Sequence, residues 1–183
     1  PSKVTSICDH YLAGTPNGIK CDPASGLVYS PPHFTWMDTN FPACTPREGY
    51  PIEIQSLWIR ALEFANSVMP ENVARRSADA RENTYEEIAT RARQSIQKLF
   101  WLEEKGYYAD CLPARASAPP AISAKDESLR PNQLYAVTFG ITGNDEGRRT
   151  VVNAWRHLLT PSSLRSVADL PLTDWPWIAG AAP

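Results

Sequence analysis

The chain has 183 residues, enough for one domain that buries its own core without covalent staples. Eighteen Lys and Arg stand against 20 Asp and Glu, and that balance argues against a general nucleic-acid binder, while 43% hydrophobic and 21% charged residues argue against disorder. No apolar run approaches the ~20 residues of a membrane span, and no basic-then-apolar segment at the start reads as a signal peptide.

Four cysteines (Cys8, Cys21, Cys44, Cys111) lie far apart with no CxxC pair, so reduced thiols and a cytoplasmic setting are expected. The start at Pro1, the apolar final segment, 17 prolines and six tryptophans fit a chain cut from a larger protein.

The first fifty residues read mostly as loop, punctuated by Thr15-Pro16-Asn17-Gly18, Asp22-Pro23 and Ser30-Pro31-Pro32, with a short extended piece at Gly26–Tyr29. A helix is predicted from Pro51, in its favoured first-turn position, to about Met69, with Ile54, Leu57, Trp58, Ala61, Leu62, Ala65 and Val68 on its apolar face. The charged stretch from Glu71 to Asn83 reads as a solvated connection. A second helix is predicted from Thr84, where Thr84-x-x-Glu87 has capping-box form, to about Leu102, closed by Gly106; Ile88, Ala92, Ile96 and Leu99 form its stripe. These two helices are expected to be antiparallel neighbours. Tyr107-Tyr108-Ala109 reads as a hairpin arm, and Ala114–Ala124 as irregular loop. Further helices are predicted over Pro131–Gly140 and about Glu146–Leu159, the latter burying Val151, Val152, Trp155, Leu158 and Leu159.

Several familiar chemistries have no motif here: GxSxG, GxxxxGK[ST] and HExxH are all missing, and the three histidines are scattered. The dense block from His33 to Trp58 stands out instead. It sets carboxylates, an arginine, amides and aromatic rings just before a helix start, the composition of a sugar pocket, where rings pack on pyranose C–H faces and fixed polar groups bind hydroxyls. A carboxyl beside Trp36 and Phe34 is raised by desolvation, which suits Asp38 to a general-acid role; Asp38 as a turn cap is the competing reading. Glu53 either lines a pocket or complements the helix dipole. Arg47 binds either substrate or a neighbouring acid. Arg130-Pro131-Asn132-Gln133, by composition alone, is a polar helix start.

Phe34-Thr35-Trp36-Met37-Asp38, followed by Thr45-Pro46-Arg47-Glu48-Gly49-Tyr50-Pro51-Ile52-Glu53-Ile54-Gln55-Ser56-Leu57-Trp58, closely resembles the amylo-alpha-1,6-glucosidase family, the glucosidase domain of glycogen debranching enzymes. Leu129-Arg130-Pro131-Asn132-Gln133 is similar to that family's second signature. Leu158-Leu159-Thr160-Pro161-x-x-Leu164-Arg165 is similar to a third, and Trp175-Pro176-Trp177 to a fourth. The resemblance implies an all-α chain with long loops and a minor β-hairpin, forming part of an (α/α)6 toroid, so that residues 1–183 are one partial glucosidase domain. It implies inverting hydrolysis of the α-1,6-linked branch glucose of glycogen or a related α-glucan, with no cofactor and no metal.

By position Asp38 matches the proposed general acid, and Trp36, Arg47, Glu53, Asn132, Gln133 and Arg130 are expected to line the pocket around it. The family's base is a glutamate expected after the Trp-Pro-Trp block, and its His-x-Gly stretch is replaced here by Leu172-Thr173-Asp174. The remainder of the catalytic domain is therefore an expected partner, alongside the glucan. A noncatalytic carbohydrate-binding remnant, or another toroid exo-glycosidase of glucoamylase or trehalase type, are the alternative readings.

Overall fold

A computed structural model describes residues 2–37, 46–68, 84–115 and 118–171. Among the described residues the protein is mostly helical, about 47% of them, with a little sheet. In chain order the described elements are α1 (Ser2–Ala13), β1 (Lys20–Cys21), β2 (Val28–Tyr29), β3 (Gly49–Pro51), α2 (Ile52–Ser67), α3 (Tyr85–Leu99), β4 (Trp101–Leu102), β5 (Tyr107–Tyr108), β6 (Cys111–Pro113), α4 (Leu134–Thr138) and α5 (Asn144–Leu158). Single 3-10 turns at Pro120–Ile122 and Pro131–Gln133 complete the architecture. No helix among the described residues is long and apolar enough to cross a membrane.

Helices α2 and α3 form the centre. Pro51 is the N-cap of α2, so the helix proper begins one residue later than expected, and it buries Ile52, Trp58, Ile59, Leu62 and Ala65. Thr84 and Glu87 close the capping box of α3 reciprocally, satisfying two backbone N–H groups that a helix start otherwise leaves open. The two helices pack side by side, with Glu63 and Asn66 near the end of α2 against Arg93 and Glu86 of α3, so they run antiparallel. The predicted connection from Glu71 to Asn83 lies outside the described residues.

Helix α1 corrects the expectation of a loop. Val4, Cys8, Tyr11 and Leu12 repeat at helical spacing and pack on the core, with the Tyr11 and Trp58 rings 5.7 Å apart between centroids. Gly14, at a φ of 99°, ends it.

The predicted second helix stops at Leu99, and Trp101–Leu102 pairs instead with Tyr107–Tyr108 in a hairpin turned by Gly106. The helix predicted from Pro131 is a 3-10 turn leading into a short α4. In α5 the buried face is Gly147, Thr150, Ala154 and Leu158, whereas Val151, Trp155 and Leu159, expected inside, are exposed. Small side chains let α5 approach its neighbours closely, and that contact turns the larger residues outward.

The strands form three antiparallel pairs, β1–β2, β3–β6 and β4–β5. Bridges from Ser30 to Gly49 and from Cys111 to Asp126 extend the central pair into a ribbon across one end of α2. Gly49 permits this: its φ is 125°, and a Cβ there would strike the backbone of Leu112 and Ala114.

Candidate functional site

The ribbon ends on Asp110, which lies between β5 and β6. Its backbone is held on two sides: the Asp110 N–H donates to the Asp126 carbonyl at 2.8 Å, and its own carbonyl accepts the Ile52 N–H at the start of α2 at 3.0 Å. The carboxylate is thereby fixed in the interior, 2% exposed.

Three separated stretches of sequence converge on it. Arg47 Nε donates to Asp110 Oδ2 at 2.9 Å. Asn132 Nδ2 donates to Asp110 Oδ1 at 2.7 Å. Arg130 Nε stands 3.5 Å from Asp110 Oδ2. Arg47 and Arg130 are each under a tenth exposed, and Asn132 is 1% exposed.

Arg47 spends its whole donor set inside the protein. Its two terminal nitrogens form a bidentate ion pair with Glu53, Nη2 reaching Oε2 at 2.7 Å; Nη1 also reaches Thr35 Oγ1 at 3.4 Å and Nη2 the Asp110 carbonyl at 3.2 Å. A planar guanidinium suits this arrangement, because its five N–H groups point in fixed directions that two carboxylates can meet. The backbone conforms to it, Arg47 sitting at a φ of 46° in the left-handed region.

Glu53, in the first turn of α2 and 1% exposed, faces Arg47. Burial works against the Arg47 charge, but Asp110 and Glu53 outweigh it and raise its pKa further. Burial pushes the Asp110 carboxyl up to about 6, with Arg47 opposing and Glu53 reinforcing the rise.

The segment Phe34–Met37 alternates. Thr35 and Met37 turn inward, to Arg47 and Asn132 respectively, and Met37 Sδ accepts from Asn132 Nδ2 at 3.0 Å. Phe34 and Trp36 turn outward, Trp36 being 63% exposed. An aromatic pair is thus displayed on the outer side of a backbone whose inner side is pinned to the charged centre.

Arg47, Glu53 and Asn132 therefore come together, with Arg130 beside them. Trp36 stands at the surface next to them. Gln133 points elsewhere: its carboxamide oxygen accepts the Tyr108 N–H at 3.0 Å and its nitrogen donates to the Arg130 carbonyl at 3.1 Å, so it braces the turn carrying Arg130 and Asn132. Asp38 lies outside the described residues.

Two polar atoms at the centre have no hydrogen-bond partner among the described residues, Asn132 Oδ1 and Arg130 Nε. Both atoms are buried, and Arg130 Nε lies 3.5 Å from Asp110 Oδ2; a buried polar atom left without a hydrogen bond costs about 1–3 kcal/mol. Among the described residues no group of three His, Cys, Asp or Glu side chains is placed to hold a metal ion.

Sequence reasoning misses Asp110 because no motif contains it. One signal was available: the blocks carrying Arg47 and Arg130 bring two buried cations but only Glu53 as a buried acid, and Asp110 is the acid in an otherwise apolar run, Tyr107–Leu112.

The third sequence block folds back on the second. Thr160 closes a turn with Ser163, Leu159 bridges Leu164, and the Ala168 N–H donates to the Leu129 carbonyl at 3.0 Å, just before Arg130.

A comparison with family models matches residues 2–179 to the one described as amylo-alpha-1,6-glucosidase. A comparison with curated proteins finds no match.

Proposed function

This chain belongs to the amylo-alpha-1,6-glucosidase family, and from that premise we propose that it acts in hydrolysis of α-1,6-linked branch glucose from glycogen or a related α-glucan. The family match over nearly the whole chain carries this reading. Residues 1–183 are one partial catalytic domain of an (α/α)6 toroid, with α2 and α3 contributed to opposite rings. The remainder of that domain is the partner that completes the ring. A cytoplasmic setting agrees with Cys8, Cys21 and Cys111 as free thiols.

Trp36 is the platform for a pyranose face, its ring being largely exposed. Arg130 and Asn132 line the sugar pocket, as their place in the family's second signature implies, and each has one buried polar atom without a hydrogen bond among the described residues. Arg47 and Glu53 form the rigid wall behind them, since their hydrogen bonds are directed at each other and at Asp110.

Asp38 is the general acid. It protonates the departing glycosidic oxygen while a water, activated by a second carboxylate, attacks the anomeric carbon from the opposite face and inverts it; acid and base then stand about 6.5–9.5 Å apart. By the family resemblance that second carboxylate is a glutamate, and none stands among residues 178–183. No metal or organic cofactor takes part in this mechanism.

The deciding experiment is Asp38→Asn in the active protein, assayed on singly branched dextrin and on α-glucosyl fluoride. Turnover of the dextrin should fall by at least about 100-fold, and of the fluoride much less, since fluoride leaves with little protonation. A folded variant with normal dextrin turnover removes the assignment. Binding of dextrin without any turnover by the wild type would make the chain a carbohydrate-binding module, and cleavage of trehalose or linear maltooligosaccharide instead would make it another toroid glycosidase.

A further inference from the structure

Helix α5 is apolar over more of its surface than the described protein covers. At about 100° per residue, Ala154, Leu158, Val151, Trp155, Leu159 and Val152 follow one another around an arc of roughly 160°, and Asn153, Arg156 and His157 take the rest of the circumference. One edge of the arc, Ala154 and Leu158, is packed into the core. Its middle is open: Val151 is 45%, Trp155 63% and Leu159 53% exposed.

The chain after the helix lengthens this stripe. Leu159 bridges Leu164, the Arg165 N–H donates to the Leu158 carbonyl at 2.8 Å, and Leu164 and Val167 are exposed in their turn. Of the twelve exposed large apolar side chains among the described residues, five therefore lie between positions 151 and 167. Single exposed apolar residues are ordinary on a protein surface, but a contiguous group of this kind marks a contact.

Its border is basic. No Asp or Glu stands between Gly147 and Ala168, against four arginines, in a chain whose net charge is -2. Arg148 and Arg149 are paired with Asp145 and Glu103. Arg156 and Arg165, beside the stripe where the helix ends, meet no carboxylate among the described residues.

We infer that this stripe seats an amphipathic helix from the remainder of the catalytic domain, one that lays apolar side chains along Val151, Trp155 and Leu159 and sets acidic ones opposite Arg156 and Arg165. This rests on the reading of residues 1–183 as a partial catalytic domain.

The shape and charge of the surface select that occupant. Side chains four positions apart, as at 151, 155 and 159, form the ridge that fits the groove of a second helix. The ridge runs without a polar break into the buried edge at Ala154 and Leu158, so a helix seated on it extends the existing core. The unpaired arginines match acids at the rim and fix which way the seated helix lies. A lipid surface suits the stripe less well, because an interfacial helix turns its whole apolar face to the membrane, and here one edge is already held in the core.

Photocrosslinking in the full-length protein identifies the occupant. Trp155→p-benzoylphenylalanine, irradiated and mapped by mass spectrometry, should join position 155 to a peptide of the same polypeptide that lies outside residues 1–183. The same substitution at Ile122, which is 78% exposed, controls for nonspecific capture. Maleimide should label Trp155→Cys at least about tenfold more slowly than Ile122→Cys, since a seated helix must first leave. Arg156→Glu should lower the crosslink yield at low ionic strength, with recovery in about 1 M salt. Should the variant at 155 fail to fold, Val151→p-benzoylphenylalanine replaces it.

A crosslink to a second copy, to residues 1–183 of the same copy or to nothing would overturn the inference, as would equal labelling at 155 and 122 or binding of the full-length protein to vesicles of acidic phospholipid through this face. Dextrin hydrolysis by the wild type, measured in parallel, keeps the two readings apart. Its absence alongside the expected crosslink would remove the glucosidase reading and leave the docking surface in place, whereas hydrolysis without the crosslink would do the reverse.

Discussion

Arg47 and Asp110, 63 positions apart in sequence, meet in the interior at 2.9 Å, and through that contact the start of α2, the ribbon and the Arg130–Asn132 turn are joined. Arg47 and Arg130 face Glu53 and Asp110, so the cations and carboxylates at this centre balance in number, and each is under a tenth exposed. The attraction within such a group does little more than offset the cost of desolvating its members, so its value lies in fixing geometry rather than in net stability. Removing one member is a different matter.

Arg47→Ala leaves two buried carboxylates facing each other without the cation that pairs them. An unfolding free energy lower by about 3–5 kcal/mol is expected, measured by urea denaturation. Arg47→Lys should recover only part of it, because an ammonium cannot meet Glu53 and Asp110 with parallel bonds. A variant of wild-type stability would show that the pairings contribute nothing.

Arg130 should behave in the opposite way. Its Nε makes no hydrogen bond among the described residues, and Arg47 already lies closer to Asp110. Arg130→Ala is therefore expected to change stability by less than Arg47→Ala and to weaken dextrin binding by about tenfold, the worth of a hydrogen bond from a charged donor. Calorimetric titration with a nonhydrolysed branched oligosaccharide, set beside the denaturation curve, separates the two effects.

The helices legible in the sequence were α2 and α3, whose apolar period and helix start agreed, and α5, whose extent was read but not its buried face. Helix α1 was hidden because the intervening polar residues Thr5, Ser6, Asp9 and His10, and the turn-rich stretch after the helix, dilute a four-residue stripe, although Val4, Cys8, Tyr11 and Leu12 carry the period. The face of α5 misled for a physical reason: burial there follows close approach through Gly147 and Ala154 rather than side-chain size. At the site, Arg47, Glu53 and Asn132 were visible as residue types within blocks, but the carboxylate that gathers them arrives through β-bridge pairing between Cys111 and Asp126, a long-range contact that leaves no local pattern.

Trp36 offers a stability-neutral test of the binding face. Its ring is mostly outside the core, so Trp36→Ala should leave the thermal midpoint within about a degree or two, as expected for a surface substitution away from packing. Loss of an aromatic face under a sugar should weaken glucan binding by about 0.5–1.5 kcal/mol, with Trp36→Phe retaining part of it. Unchanged affinity in a folded Trp36→Ala would move the sugar contact away from this ring.

The pH dependence of Asp110 has a definite sign. Burial raises its carboxyl to about 6, above the ordinary 3.8, so the folded protein holds this proton more tightly than the unfolded chain does. Its contribution to stability is then fully present below about pH 4 and is lost as the pH rises through about 6, after which the buried charge is retained by Arg47. Most paired carboxylates act in the reverse direction, so the total curve does not isolate it. The difference between wild type and Asp110→Asn does: that difference should slope between about pH 4 and 6 and run flat above about 7. Urea unfolding at half-unit steps of pH measures it, and a flat difference across the whole range would mean that Asp110 keeps an ordinary carboxyl pKa despite its burial.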